Sequence, residues 1–118
     1  MVKLIVDKII DKNPGDNKGL TPLHLAASFG KLDVIKYIMD KIDDKNPADN
    51  TGWTPLHFAA HYQLWHVVKF MVDNILVKNP ADNHGWTPLQ MAAFWRQFDV
   101  VKYIKDRIQN EQSGSGGG

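Results

Sequence analysis

Thr21 to Ala27 reads TPLHLAA, Thr54 to Ala60 reads TPLHFAA and Thr87 to Ala93 reads TPLQMAA, so one motif returns every 33 residues without a gap. The register extends beyond it. KNPGDN from Lys12 recurs as KNPADN from Lys45 and again from Lys78. Val34-Ile35-Lys36-Tyr37-Ile38 recurs as Val67-Val68-Lys69-Phe70-Met71 and as Val100-Val101-Lys102-Tyr103-Ile104. A fixed period of this length means one supersecondary unit stacked on copies of itself, each burying a face that a single unit cannot bury alone.

The local chemistry defines the unit. Thr21, Thr54 and Thr87 are good N-cap residues, and the proline after each stands at the first helical position, where a missing N–H costs nothing. Gln90, three residues after Thr87, completes a capping box, and His24 and His57 hold the equivalent place in the other copies. The alanine pairs Ala26-Ala27, Ala59-Ala60 and Ala92-Ala93 let neighbouring helices approach closely. A second helix from Leu32 to about Ile42 carries Leu32, Ile35, Ile38, Met39 and Ile42 at helical spacing, with Asn46-Pro47, and one period later Asn79-Pro80, expected to stop these helices. Gly19, Gly52 and Gly85 supply the turn between units.

A 33-residue period built on TPLH-x-A resembles the ankyrin repeat, and the resemblance runs from Met1 to about Gln112. It implies an all-α solenoid of helix-turn-helix units with β-turn or hairpin fingers. The expected divisions are a partial repeat helix over 1–12, repeats over 13–45, 46–78 and 79–112 with a polar C-terminal helix, and a flexible tail over 113–118. A start in mid-repeat and a Ser/Gly tail are typical of engineered proteins, so a shortened or designed ankyrin scaffold is expected.

Function is sought where the copies disagree, because the framework positions are needed by the fold. At the turn between the paired helices the copies read Ser28-Phe29-Gly30-Lys31-Leu32-Asp33, His61-Tyr62-Gln63-Leu64-Trp65-His66 and Phe94-Trp95-Arg96-Gln97-Phe98-Asp99. The last two have turned aromatic and lost the glycine that closes such a helix, at a cost of about 1 kcal/mol unless the turn is rebuilt. In ankyrin proteins the finger tips and this end of the first helix form the concave face that grips a partner protein. Carried over by position, that face holds Lys18, Leu20, Ser28 and Phe29, then Thr51, Trp53, His61 and Tyr62, then His84, Trp86, Phe94 and Trp95, with Leu64, Arg96 and Gln97 beside it. Such an aromatic patch is large for a monomer without a use, and Trp, Tyr and Arg dominate interface hot spots. Trp65 and Phe98 stand in register with Leu32 and either extend this surface or fill a re-packed core. Trp53 and Trp86 either face a partner or pack one finger on the next, and Leu76 and Val77 either widen the patch or seal a loop. Lys36, Lys69 and Lys102 are expected on a solvated helix back.

Composition narrows the alternatives. There is no cysteine, which removes disulfides, thiol chemistry and cysteine-bound zinc, and fits either a reducing compartment or a protein made for easy handling. A net charge of +1 gives no drive towards phosphate backbones or anionic lipid, so nucleic acid and membrane partners are not expected. The most apolar stretch, Met1 to Ile10, is broken by Lys3, Asp7 and Lys8, and no targeting signal is readable. His24 with Ser28 and Asp33 lacks an oxyanion site, and His57, His61 and His66 include a residue in a capping position. Neither an enzyme nor a metal or cofactor site is expected. The reading is a protein-binding module, with a self-associating scaffold, a homodimer included, as the alternative.

Overall fold

The structure, a computed structural model, describes residues 13–115, with side chains to residue 109; the partial helix expected over 1–12 lies outside these residues. Six helices follow one another: α1 (Pro22–Ser28), α2 (Leu32–Lys41), α3 (Pro55–His61), α4 (Trp65–Asn74), α5 (Pro88–Phe94) and α6 (Phe98–Ser115). No strand occurs among the described residues. The helices pair as α1 with α2, α3 with α4 and α5 with α6, while α1 packs on α3, α3 on α5 and α4 on α6, which makes the expected solenoid.

Each first helix opens on a complete capping box. The hydroxyls of Thr21, Thr54 and Thr87 accept from the N–H of His24, His57 and Gln90, whose side chains accept from the threonine N–H in return. Each first helix then closes on the two reciprocal backbone bonds of a Schellman motif, as in Leu64 N–H to Ala59 O at 2.9 Å and Gln63 N–H to Ala60 O at 3.1 Å. The residue at the turn is left-handed in all three copies, at φ 68° for Gly30, 61° for Gln63 and 59° for Arg96. The turn was therefore not rebuilt, and two bulky residues adopt a conformation that suits glycine.

The second helices end where expected, ahead of the Asn-Pro pairs. α2 ends at Lys41 and α4 at Asn74, with Ile42 and Ile75 extended at the C-cap. A lysine folds back to complete each end: Lys45 Nζ donates to Ile42 O, and the buried Lys78 Nζ donates to both Val72 O and Ile75 O at 2.7 Å. Orphan carbonyls and the negative helix end make that a natural site for an ammonium group. α6 runs to Ser115, three residues into the segment expected as a flexible tail.

The core is one continuous cluster along the stack. Ala27, Ala59, Ala60 and Ala92 are completely buried and Ala26 nearly so, which is what close helix approach demands, whereas Ala93 in the last repeat is exposed.

Candidate protein-binding face

The site is built on the fingers, so their construction comes first. In each, an aspartate near the tip accepts two backbone N–H groups: Asp16 from Lys18 and Leu20, Asp49 from Thr51 and Trp53, Asp82 from His84 and Trp86. Burial pushes the Asp49 and Asp82 carboxyls up, but the bonds they accept outweigh it and hold both below the ordinary carboxylate range. The fingers are also joined to one another. Asn50 donates from its backbone N–H to Lys18 O and from its side chain to Asn17 O, and Asn83 does the same to Thr51 O and Asn50 O.

Histidine ties finger to helix. Nδ1 of His57 accepts from the Thr54 N–H at 3.1 Å, so the ring carries its proton on Nε2, which donates to Trp86 O at 2.9 Å in the next finger. His24 does the same towards Trp53 O at 2.8 Å. Burial pushes both imidazoles below their ordinary value, against the opposing pull of those carbonyls and of Asp49 with Asp16 or Asp82. Both ring nitrogens of His57 are spent inside the fold, and Ser28 Oγ donates to Leu25 O rather than meeting His24.

On this scaffold the sequence-predicted residues separate into two groups. Tyr62, Trp86, Phe94 and Trp95 are exposed at 54%, 46%, 67% and 39%. His61, Trp86, Phe94 and Trp95, with Met91, line a cleft of about 210 Å³ between the second and third repeats. Tyr62 meets His61 edge-on at 4.9 Å, and Phe94 meets Trp95 in the same way at 5.2 Å. His84 stands exposed on the third finger, beside Trp86, and Arg96 on the adjoining turn. Phe29 is exposed in the first repeat and lines none of this cleft.

The second group turns inward. Leu64 and Trp65 pack against the core, and Leu64 fills the space over Gly30, where an added Cβ would lie 3.3 Å from it. Of the two alternatives open for Trp65, this is the packing one, and Leu64, expected beside the binding face, is half-buried here too. Trp53 is half-buried: its ring contacts His57, Phe58 and His61, and its indole N–H donates to Asp82 Oδ2 at 2.8 Å, so it supports the finger rather than facing outward. Phe98, in register with Trp65, is 67% exposed and fills no core. Leu76 and Val77 are exposed too, on the loop after α4.

Two features escaped the sequence reading. Met91 floors the cleft, although it stands in register with Leu25 and Phe58 and carried no local signal. Lys36 and Lys69, expected on a solvated face, lie over the rings of Phe70 and Tyr103 in the following repeat, each 5.4 Å from the centroid. The 33-residue recurrence of lysine one residue before an aromatic was the available sign.

The profile of the family described as "Ankyrin repeats (3 copies)" matches residues 1–49 and 40–113, almost the whole chain. The chain is an ankyrin-repeat protein. A comparison with curated proteins finds no match. Ankyrin repeats are in general protein–protein interaction modules, and ankyrin-repeat proteins are typically non-enzymatic binding scaffolds. Among the described residues of this ankyrin protein, no three His, Asp or Glu side chains gather as a metal-binding group. None of its described helices is long and apolar enough to cross a membrane.

Proposed function

We propose that this ankyrin protein binds one specific protein partner through the aromatic face of its second and third repeats, the positions at which the scaffold has been rewritten. The observation that carries the reading is the cleft between His61, Trp86, Met91, Phe94 and Trp95, with Tyr62 on its rim. Large rings held half-exposed at neighbouring positions of two repeats add nothing to the core, yet they form the kind of rigid amphipathic anchors that dominate interface energetics. The fingers and capping boxes beneath them are bonded through, so the face is organised before any partner arrives and little ordering entropy opposes binding.

In a complex with a selected partner, Tyr62→Ala or Trp95→Ala is expected to weaken binding by about 2 kcal/mol or more, and Lys18→Ala to leave it unchanged. Equal affinity in both aromatic variants would remove the assignment. Trp65→Ala is the wrong probe, since Trp65 packs against the core.

A second reading, self-association, is favoured by the end of the stack. Ala93, Gln90 and Phe98 are exposed where Ala60 and His57 are completely buried and Trp65 is half-buried. Sedimentation equilibrium at micromolar concentrations separates the two. A concentration-independent monomer leaves the aromatic face free for another protein, and a dimer that Tyr62→Ala or Trp95→Ala dissociates means that the face is covered by a second copy.

A further inference from the structure

Given a protein-binding face between the second and third repeats, on which this inference rests, the polar atoms around its cleft say what chemistry it receives. They are biased towards donors. The indole N–H of Trp53 is used on Asp82, but those of Trp86 and Trp95 have no partner among the described residues although both line the cleft. Arg96 follows Trp95 in an exposed turn and makes no ion pair among the described residues. His84, at the tip of the third finger, is exposed as well.

Among the described residues, no carboxylate lines the cleft. Asp49 and Asp82 are each engaged by backbone N–H groups and by a further side-chain donor, Thr51 for Asp49 and Trp53 for Asp82. Asp99, three residues beyond Arg96, faces Lys69 at 3.9 Å. A partner that brought cations here would meet unpaired donors and an arginine. One that brought carboxylates would satisfy them, and charge-assisted bonds to Arg and N–H donors are the stronger class. The cleft itself, at about 210 Å³, falls below the roughly 300–1,000 Å³ typical of sites for whole small molecules. It suits one apolar side chain.

We propose that the cleft takes a single apolar side chain from an acidic segment of the partner, whose neighbouring carboxylates are received by Arg96 and the indole N–H groups of Trp86 and Trp95. The apolar insertion supplies most of the affinity and the donors select the charge.

A displayed library of random short peptides, selected against the full chain, tests this without knowledge of the natural partner. The enriched peptides are expected to share an apolar residue within a few positions of Asp or Glu. Arg96→Gln, which places in this turn the residue that Gln63 already provides in the second repeat, should weaken them about tenfold, the scale of a charge-assisted bond. Trp86→Phe and Trp95→Phe keep the rings and remove the donors, and each should weaken acidic peptides more than neutral analogues. Peptides that need Trp95 but carry basic or uncharged flanks would overturn the inference and leave the binding face standing. Peptides indifferent to both Trp95→Ala and Tyr62→Ala, or no enrichment at all, would overturn both.

Discussion

Gln63 and Arg96 are the residues most at odds with their own backbone. Both sit near φ 60°, in the place where the first repeat has Gly30. A side chain there costs on the order of 1–2 kcal/mol through the clash of Cβ with the following carbonyl, partly offset by the entropy that glycine would lose on folding. Gln63→Gly and Arg96→Gly should therefore each stabilise the fold by about 1 kcal/mol, read as a rise in the urea midpoint at unchanged m-value. The turn bonds from Gln63 and Arg96 use only the backbone, and among the described residues neither side chain makes a hydrogen bond or ion pair that repays the strain. Should Arg96→Gly also weaken acidic peptides, strain and recognition would be located in one residue. A loss of stability in either variant would mean that the side chain has a structural partner.

Between elements, the fingers and the helix backs carry the repeat-to-repeat contacts. An added Cβ on Gly52 would lie 2.5 Å from Asn83 Oδ1 and 2.6 Å from its backbone N, whereas one on Gly85 would meet nothing within 4 Å, at nearly the same φ. Gly85→Ala should cost only the backbone strain, about 1–2 kcal/mol. Gly52→Ala should cost that plus about 1–3 kcal/mol for prising the second and third fingers apart. Thermal unfolding of the two variants side by side measures the difference, and equal losses would mean that finger stacking contributes nothing. On the back, the Tyr103 hydroxyl reaches both Asp73 oxygens at 2.8 and 2.9 Å, and Arg107 Nε lies 3.0 Å from Asp73, which ties α4 to α6. Tyr103→Phe keeps the ring beneath Lys69 and should lose about 1 kcal/mol, the modest figure appropriate to a network open to solvent.

For the molecule as a whole, the buried histidines couple stability to pH. An unfolded imidazole titrates near 6.5, while His24 and His57 titrate lower in the fold because burial disfavours the charged ring. Between those values the unfolded chain binds more protons. Stability is therefore fully present above about pH 6.5, falls as pH drops through that window, and levels off once the folded rings also titrate. Asp49 and Asp82, held below the ordinary carboxylate range, add a second loss as pH falls further, through their folded pKa values. Replacing both histidines by glutamine, the residue Gln90 provides in the third capping box, should flatten the first slope in denaturant midpoints measured against pH and leave the second. An unchanged first slope would mean that the two buried rings do not carry it.

What the sequence determined by itself was local or periodic. The 33-residue repeat, the threonine caps and the ankyrin architecture follow from interactions within a few residues, repeated three times. Only the tertiary structure decided which aromatic residues face out. Trp65 and Phe98 share a register and a helix position, yet one packs against the core and the other is 67% exposed. His57 and Ala60 are completely buried while Gln90 and Ala93, one period on, are exposed. The lysines that cap the second helices, Lys45 and Lys78 folding back on the last carbonyls, were likewise visible only in the structure. Periodicity fixes the direction in which a side chain leaves its own helix. Exposure depends on what the neighbouring repeat lays over it, and that is a property of the stack.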